Sequence, residues 1–443
     1  MCKYKNIVKY LLEKIASGVI KVEQNMPTIR QLSEQFQCSK ATVVRAYIEL
    51  QQQHIVYAIP QSGYFLVNKN GLDRNENSNC INFASVSPDE TILPYEEFQH
   101  CLNQAIDKYK QTLFNYSNAK GLPTFIETLG NHWQEYQVFA KPEHIFTTAG
   151  CQQALFILCN MRFPNNRTDI LVEQPTYHGM LKLLESSHLP VVGIERSFRG
   201  IDLDELERKF ATNRIKCFYT NPRFHHPLGT SLSRKEKQEI LKLAHKYDVY
   251  ILEDDYLADL EIKNNSYPIY YDDIDERVIY IKSFSKTLLP GLRVAAVALP
   301  EILINEFTKY KKWVDLGTSV LSQGALEIYI KCGMFHTHRK KIKNIYAEKM
   351  KLLSNKLDCL QSSSIKCHVP DTGFFACIEF VHNVNFDKLI DILGKRNIIL
   401  NTINENYIDT NSHNKILKFS VSKPNLADIN RGISIILDEI YKL

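Results

Sequence analysis

The sequence predicts an α/β protein. A mostly parallel sheet covered by helices forms its body, with a small helical domain ahead of it and an α+β tail behind it. Three observations carry this reading. Short apolar runs, HIFTT, DILVE, KCFYT, VYILE, VIYIK and RVAAVAL, recur through the middle of the chain. They are apolar on both faces, as strands buried between two helical layers are. Amphipathic stretches such as SRKEKQEILKLAHKY separate them. Past about residue 300, long helical patterns lead to FFACIEF, NIIL and ILKFSVS, which predict a smaller C-terminal domain.

The 443 residues are 23% charged and 44% apolar, which excludes collagen-like and disordered classes. The length has room for several domains of roughly 100–200 residues each. No apolar run approaches the roughly 18 residues of a membrane span. The start, MCKYKNIVKYLLEKIASG, lacks the apolar core of a signal peptide, so a cytoplasmic chain is expected. The 11 cysteines form no CxxC pair and no zinc-like cluster with His. They read as reduced thiols acting as small apolar residues, and no metal is expected.

Charge is uneven. Residues 1–67 hold eight Lys or Arg and four Glu, so they carry +4 of the net +5. A basic segment on a nearly neutral body suggests a polyanion partner. Residues 68–80, NKNGLDRNENSNC, are polar and Asn-rich and supply no core face, so they read as a linker. The predicted domains are therefore 1–67, the linker 68–80, and 81–443.

The first domain reads as three helices and a hairpin. Ile7, Tyr10, Leu11 and Ile15 form a helical stripe. A second helix begins near Thr28, and Ser39 is a good N-cap for a third. IVYAI and YFLV flank PQSG and form a hairpin with a glycine turn at Gly63. This is the pattern of a winged helix-turn-helix, whose recognition helix enters the DNA major groove. Ser39, Lys40, Thr42 and Arg45 face outward on the third helix while Val43, Val44 and Tyr47 face the core. The segment ASGVIKVEQNMPTIRQLSEQFQCSKATVVRAYIEL with PQSGYFLV resembles the GntR family of bacterial regulators. The resemblance implies a DNA surface built from Thr28, Arg30, Ser39, Lys40, Thr42, Arg45 and Gly63. Thr28 replaces the family's usual Ser, and Lys40 its usual Arg, which removes bidentate geometry at that position.

In the body, SFSKTLLPGLR places Lys286 after an apolar strand, with Ser283, Ser285 and Arg293 around it. A lysine held deprotonated forms a Schiff base with an aldehyde cofactor, and hydroxyls with an arginine suit a phosphate. VYILEDDYLADL sets Asp254 just past a strand, where a carboxylate can keep a pyridine nitrogen protonated, and Tyr256 near it as a donor to a ring hydroxyl. TTAGCQQALFILC opens a helix at Gly150, whose free N–H groups form a phosphate cradle. EQPTYHGM offers Tyr177 as a ring to stack on a planar ligand. Singly, each has an ordinary structural reading: a Ser-rich loop, an acidic turn, a strand–helix turn, a packed aromatic.

Their fixed order resembles the fold type I, pyridoxal-phosphate-dependent aminotransferases, from about residue 82 to 440. The whole chain resembles the MocR family, a GntR-type winged helix fused to such a domain. The resemblance implies Lys286 as Schiff-base lysine, Asp254 as pyridinium partner, Tyr256 as ring-hydroxyl donor and Tyr177 as stacking ring. It implies a phosphate site from Gly150, Cys151, Gln152, Ser283, Ser285 and Arg293. FNYSNAKGLPTFIETL resembles the segment whose Tyr, here Tyr116, reaches the partner subunit's phosphate, which implies a homodimer with composite sites.

Two departures stand out. His226 in PRFHHPLG occupies the place of an Asn that touches the ring hydroxyl. Lys418 in ILKFSVS occupies the place of the Arg that grips a substrate carboxylate, and a point charge does not reproduce that fork. The expected function is a transcriptional regulator. It binds a double-stranded DNA operator and senses an amine, an amino acid or pyridoxal phosphate itself through aldimine chemistry, with Lys418 at the effector's carboxylate. The rival expectation is an active pyridoxal-phosphate-dependent aminotransferase with an attached DNA-binding domain. A third, a helical protein-interaction module at the N-terminus, is opposed by the polar Ser39–Arg45 face beside a wing.

Overall fold

The computed structural model describes residues 3–17, 19–20, 26–52, 55–59, 63–66, 80–115, 118–263, 266–409 and 415–442. The chain divides into two compact units, Met1–Asn79 and Cys80–Leu443. Apart from Cys80, the residues read as a linker lie outside the described ones, as does Tyr116.

The first unit holds α1 (Lys3–Ala16), α2 (Ile29–Gln35), α3 (Lys40–Gln52), β1 (Val56–Ile59) and β2 (Gly63–Leu66). Ile7, Leu11, Leu32, Val43, Tyr47 and Leu50 form its core, so the stripes read from the sequence are the buried faces. Thr28 caps α2 through a capping box with Gln31. The antiparallel pair β1–β2 sets Ile59 opposite Gly63, whose φ of +102° suits glycine. Tyr64 of the hairpin stacks on Tyr47 of α3 at 4.0 Å, which docks the wing on the helix.

The second unit is built on an eight-stranded sheet. Its strands are β4 (Ile145–Thr148), β5 (Asp169–Gln174), β6 (Val191–Ser197), β7 (Gly200–Ile201), β8 (Ile215–Thr220), β9 (Tyr250–Asp254), β10 (Val278–Ser283) and β11 (Ala295–Ala298). Their spatial order is β4-β11-β10-β9-β8-β5-β6-β7. The run from β10 through β9, β8 and β5 to β6 is parallel, while β11 is antiparallel to both β10 and β4. Strand order reverses between β5 and β8, which opens a crevice at the carboxyl ends of the central strands.

Helices α6 (Cys151–Asn160), α7 (His178–Ser186) and α10 (Ile304–Val314) cover one face of the sheet. Helices α8 (Leu203–Phe210) and α9 (Arg234–Lys246) cover the other. Further helices α4 (Tyr95–Tyr109), α5 (Pro123–Trp133) and α11 (Val320–Lys331) share a core with β11.

The tail carries an antiparallel sheet ordered β12 (Ile365–His368), β13 (Phe375–Phe380) and β15 (Ile416–Ser420). It packs on α12 (Met334–Leu357), α13 (Phe386–Lys395) and α14 (Leu426–Ile440). The segment NIIL, read as a tail strand, contributes β14 (Ile398–Ile399), which pairs in parallel with β3 (Ile81–Asn82) at the start of the unit. Strands β6 and β12 were not legible, because Glu195 and Arg196 interrupt one and Lys366 and His368 the other. The ten described cysteines are free thiols, and four of them are buried. Among the described residues no helix is long and apolar enough to cross a membrane.

Candidate functional site

The strands of the sheet end at one cavity of about 270 Å³. Each strand delivers its side chains as it stops. Asp254 is the last residue of β9, Ser283 the last of β10, and Asn221 follows β8. Tyr177 follows β5, and Gly150 precedes the first turn of α6. These segments are up to 136 residues apart in the chain, from Gly150 to Lys286, and the sheet gathers them.

Lys286 lies in the irregular segment after β10, and its Nζ donates to the Val86 carbonyl at 3.3 Å. Burial holds its amine below the usual lysine range; Cys151 and Asp254 oppose that shift, and Arg293 adds to it. Asp254 is buried, and its Oδ2 accepts from the Tyr219 hydroxyl at 2.9 Å. Burial pushes its carboxyl up to about 7; the Tyr219 hydrogen bond opposes this and the Asp255 charge adds to it. The other oxygen, Oδ1, is buried without a hydrogen-bond partner. So are Ser285 Oγ, Asn221 Oδ1 and His226 Nδ1. Four orphaned polar atoms around one cavity fit a polar ligand that supplies the missing partners.

A second group of residues fits a phosphate. Gly150 has φ +93° and is the N-cap of α6 with no side-chain cap, so the first N–H groups of Cys151 and Gln152 lack such a partner. Arg293 reaches over this turn and donates to the Ala149 carbonyl at 3.0 Å. A Cβ at position 150 would stand 2.6 Å from Arg293 Nη2, so glycine allows the approach. Ser283 Oγ accepts from the Ser285 N–H at 3.1 Å. Burial pushes the Cys151 thiol well up, which keeps it neutral at this turn.

Tyr177 stands over the cavity with its hydroxyl accepting from Gln152 Nε2 at 3.2 Å. Its ring meets His226 edge-on at 5.3 Å. His226 is wedged against Phe375 at 4.5 Å, and burial, then the Lys418 charge, holds its imidazole well below the usual range. Tyr256 lines the cavity, yet its hydroxyl is engaged by the Phe224 carbonyl at 2.8 Å. Sequence reasoning missed Tyr219 and Asn221. Both sit at the end of KCFYTN, where the strand is buried on both faces and alternation carries no signal.

Lys418 is placed apart. It is buried on β15, donates to Asn406 Oδ1 at 3.4 Å, and does not line the cavity. Its charge nevertheless reaches His226 and His178.

In the first unit, Thr28, Arg30, Ser39, Lys40, Arg45 and Gly63 are exposed and Thr42 is half-buried. The Thr42 N–H donates to Ser39 Oγ at 3.3 Å, which caps α3, and the two hydroxyls lie 2.9 Å apart. Arg30 pairs with Glu34 at 3.0 Å, and the Arg45 guanidinium lies 4.5 Å from the centre of the Tyr4 ring. Lys40 is exposed at the start of α3.

Comparison with known proteins agrees with both units. Residues 78–436 match the family described as aminotransferase class I and II, and residues 3–66 match the bacterial regulatory proteins of the gntR family. The chain is 41% identical to the HTH-type transcriptional regulator YcxD of Bacillus subtilis, over 99% of this chain and all of that one. It is 29% identical to aromatic-amino-acid aminotransferase 1 of Thermococcus litoralis, over 68% of this chain and 73% of the other. Among solved structures, the multiple substrate aminotransferase of Thermococcus profundus superposes with a TM-score of 0.76 at 23% identity, covering 83% of this chain and 94% of that one.

Proposed function

The chain belongs to the aminotransferase class I and II family and is a MocR-type regulator, a gntR-type DNA-binding domain fused to an aminotransferase-like domain, and on that premise we propose that this domain senses a small amine or amino acid for the DNA-binding one. The cofactor of the domain is pyridoxal 5'-phosphate. The observation that carries the sensing reading is the pairing of a polar cavity around Lys286 and Asp254 with a Lys418 that lies outside its lining.

When bound, the cofactor supplies an aldehyde for reversible bonding to amines and a ring that draws electrons from the bonded carbon. Lys286 gives up its proton readily because burial disfavours the ammonium. Asp254, with Oδ1 unpartnered and Oδ2 fixed by Tyr219, would hold a proton at the ring nitrogen. Gly150, Cys151, Gln152, Ser283, Ser285 and Arg293 would bind the phosphate. Tyr177 would cover the ring. Tyr256 has to release the Phe224 carbonyl before it donates to a ring hydroxyl. Lys418, held at Asn406 outside the cavity lining, offers an effector carboxylate only a single charge from beyond the wall, which favours reversible occupancy over the tight grip that turnover needs. We place the protein in the cytoplasm as a homodimer in which Tyr116 of each chain completes the other's phosphate site.

Differential effector affinity for two arrangements of the domains then alters DNA affinity; coupling of about 1–3 kcal/mol shifts it roughly 5- to 150-fold. The test titrates the cofactor-loaded protein with amines and amino acids and follows absorbance together with binding to a specific duplex. A shift in both by one amine supports the reading. Equal binding to every duplex, with or without amine, overturns it. Retention of Lys286, Asp254 and Tyr256 favours a second reading, an active aminotransferase; that reading requires the spectrum to cycle repeatedly when a keto acid is added.

Two variants probe the parts. Lys418→Arg should tighten amino acid binding about tenfold by restoring a two-pronged hydrogen bond. Unchanged affinity would remove Lys418 from the effector site. In the DNA-binding domain, Lys40→Ala should weaken all duplexes alike and reduce the slope of log affinity against log salt by about 1, the signature of a lost phosphate contact. An unchanged slope would place Lys40 off the DNA.

A further inference from the structure

Lys286 sits in a segment with no regular structure, and the residues that hold it lie behind the sheet, away from the cavity. Along β10 the side chains alternate faces, so Ser283 reaches the cavity and Lys282 points to the opposite side. There Lys282 Nζ donates to Asp259 Oδ2 at 2.9 Å, and both groups are fully buried. Thr287, the residue after Lys286, donates its hydroxyl to the same oxygen at 2.6 Å. Asp259 Oδ1 accepts from the Tyr136 hydroxyl. The Lys282 ammonium also lies 4.4 Å from the centre of the Tyr136 ring. The Thr287 carbonyl is bonded to His338 Nε2 at 2.8 Å.

One carboxylate therefore ties down the chain on both sides of Lys286. We propose that Asp259 is a positioning residue for Lys286, acting through Lys282 and Thr287 to set where its amine enters the cavity. This rests on Lys286 being the cofactor lysine. Asp259, Lys282 and Thr287 do not line the cavity, so none of them touches the cofactor or the effector. Burial pushes the Asp259 carboxyl up, but Lys282 and the hydrogen bonds outweigh it and hold the carboxyl at about 2, so the post is charged at every physiological pH.

The test uses the full chain in three forms: unaltered, Asp259→Asn with Lys282→Met, and Thr287→Val. The double variant removes both buried charges together, because Asp259→Asn alone strands Lys282 without a partner. Thr287→Val removes one hydroxyl and leaves the ion pair in place, so it reads the tether even if the double variant fails to fold. The readouts are thermal midpoint, the pH profile of Lys286 labelling by an amine reagent in cofactor-free protein, and the dissociation constant of pyridoxal phosphate.

Variants that fold should move Lys286 labelling to higher pH and weaken cofactor binding about tenfold or more, with the double variant more affected. A purely structural ion pair would change the midpoint and neither of the other readouts. Unchanged labelling and affinity in a folded variant overturns the anchor. Failure of borohydride to join the cofactor to Lys286 in the unaltered chain overturns the cofactor role itself, a separate result.

Discussion

Lys286→Ala is expected to abolish covalent attachment of the cofactor completely. Borohydride should fix pyridoxal phosphate to the unaltered protein at this residue and to the variant not at all, as peptide mass spectrometry would show. The fold should survive. Lys286 makes one long hydrogen bond, to Val86 at 3.3 Å, and a buried amine held below its usual pKa opposes folding at neutral pH. The variant should also keep its affinity for DNA, since its winged domain is untouched, but lose every response to amines. A variant that still answers amines would place the sensor elsewhere and overturn the proposed function.

The second large effect concerns Asp254. In cofactor-free protein its carboxyl is raised to about 7 from 3.8, so between those values the folded state keeps a proton that the unfolded chain has released. The group's contribution is fully present below about pH 4 and is lost as pH rises through 7. The whole span corresponds to about 4 kcal/mol. Asp254→Asn should flatten this part of the stability curve and make cofactor-free protein more stable at pH 8. The neighbouring Glu253, also raised to about 7, keeps a similar slope in both proteins, so the difference between them is the reading.

Cofactor binding moves the other way. On the proposed reading the carboxylate partners a protonated ring nitrogen, and the amide lacks that charge. Affinity at pH 8 should fall about tenfold to a hundredfold, the worth of a charged hydrogen bond. On that reading a single residue weakens the empty protein at pH 8 and strengthens the loaded one. Chemical denaturation at several pH values, with and without cofactor, reads both effects. A variant with the parent's pH slope would remove Asp254 from the cavity's electrostatics.

Much of this architecture was legible because it is local. The strands of the large sheet announce themselves as apolar runs, and a strand end is a place that linear sequence marks well. Lys286, Asp254, Gly150 and Tyr177 were found for that reason: each stands within three residues of a strand's end in a motif with distinctive neighbours. Tyr219 and Asn221 were missed. In a strand buried on both faces, no alternation says which side chain looks into the cavity.

Lys418 was legible as a cation, but its position was not. Its distance from the cavity depends on β13 and β15 pairing with Cys377 opposite Lys418, and on Asn406 arriving from another segment. Asp259 was illegible for the same reason. Lys282 and Thr287 find it 23 and 28 residues away, across a packed core that no local pattern describes.

The pairing of β3 with β14 has a mechanical consequence. Ile81 and Asn82 open the second unit, yet they are hydrogen-bonded into the C-terminal region at Ile398 and Ile399. The same stretch runs on to Val86, whose carbonyl receives Lys286. The start of the second unit is therefore fastened to the C-terminal region first and to Lys286 a few residues later. A shift of the C-terminal strand or of Lys286 therefore pulls on the first residues of the second unit.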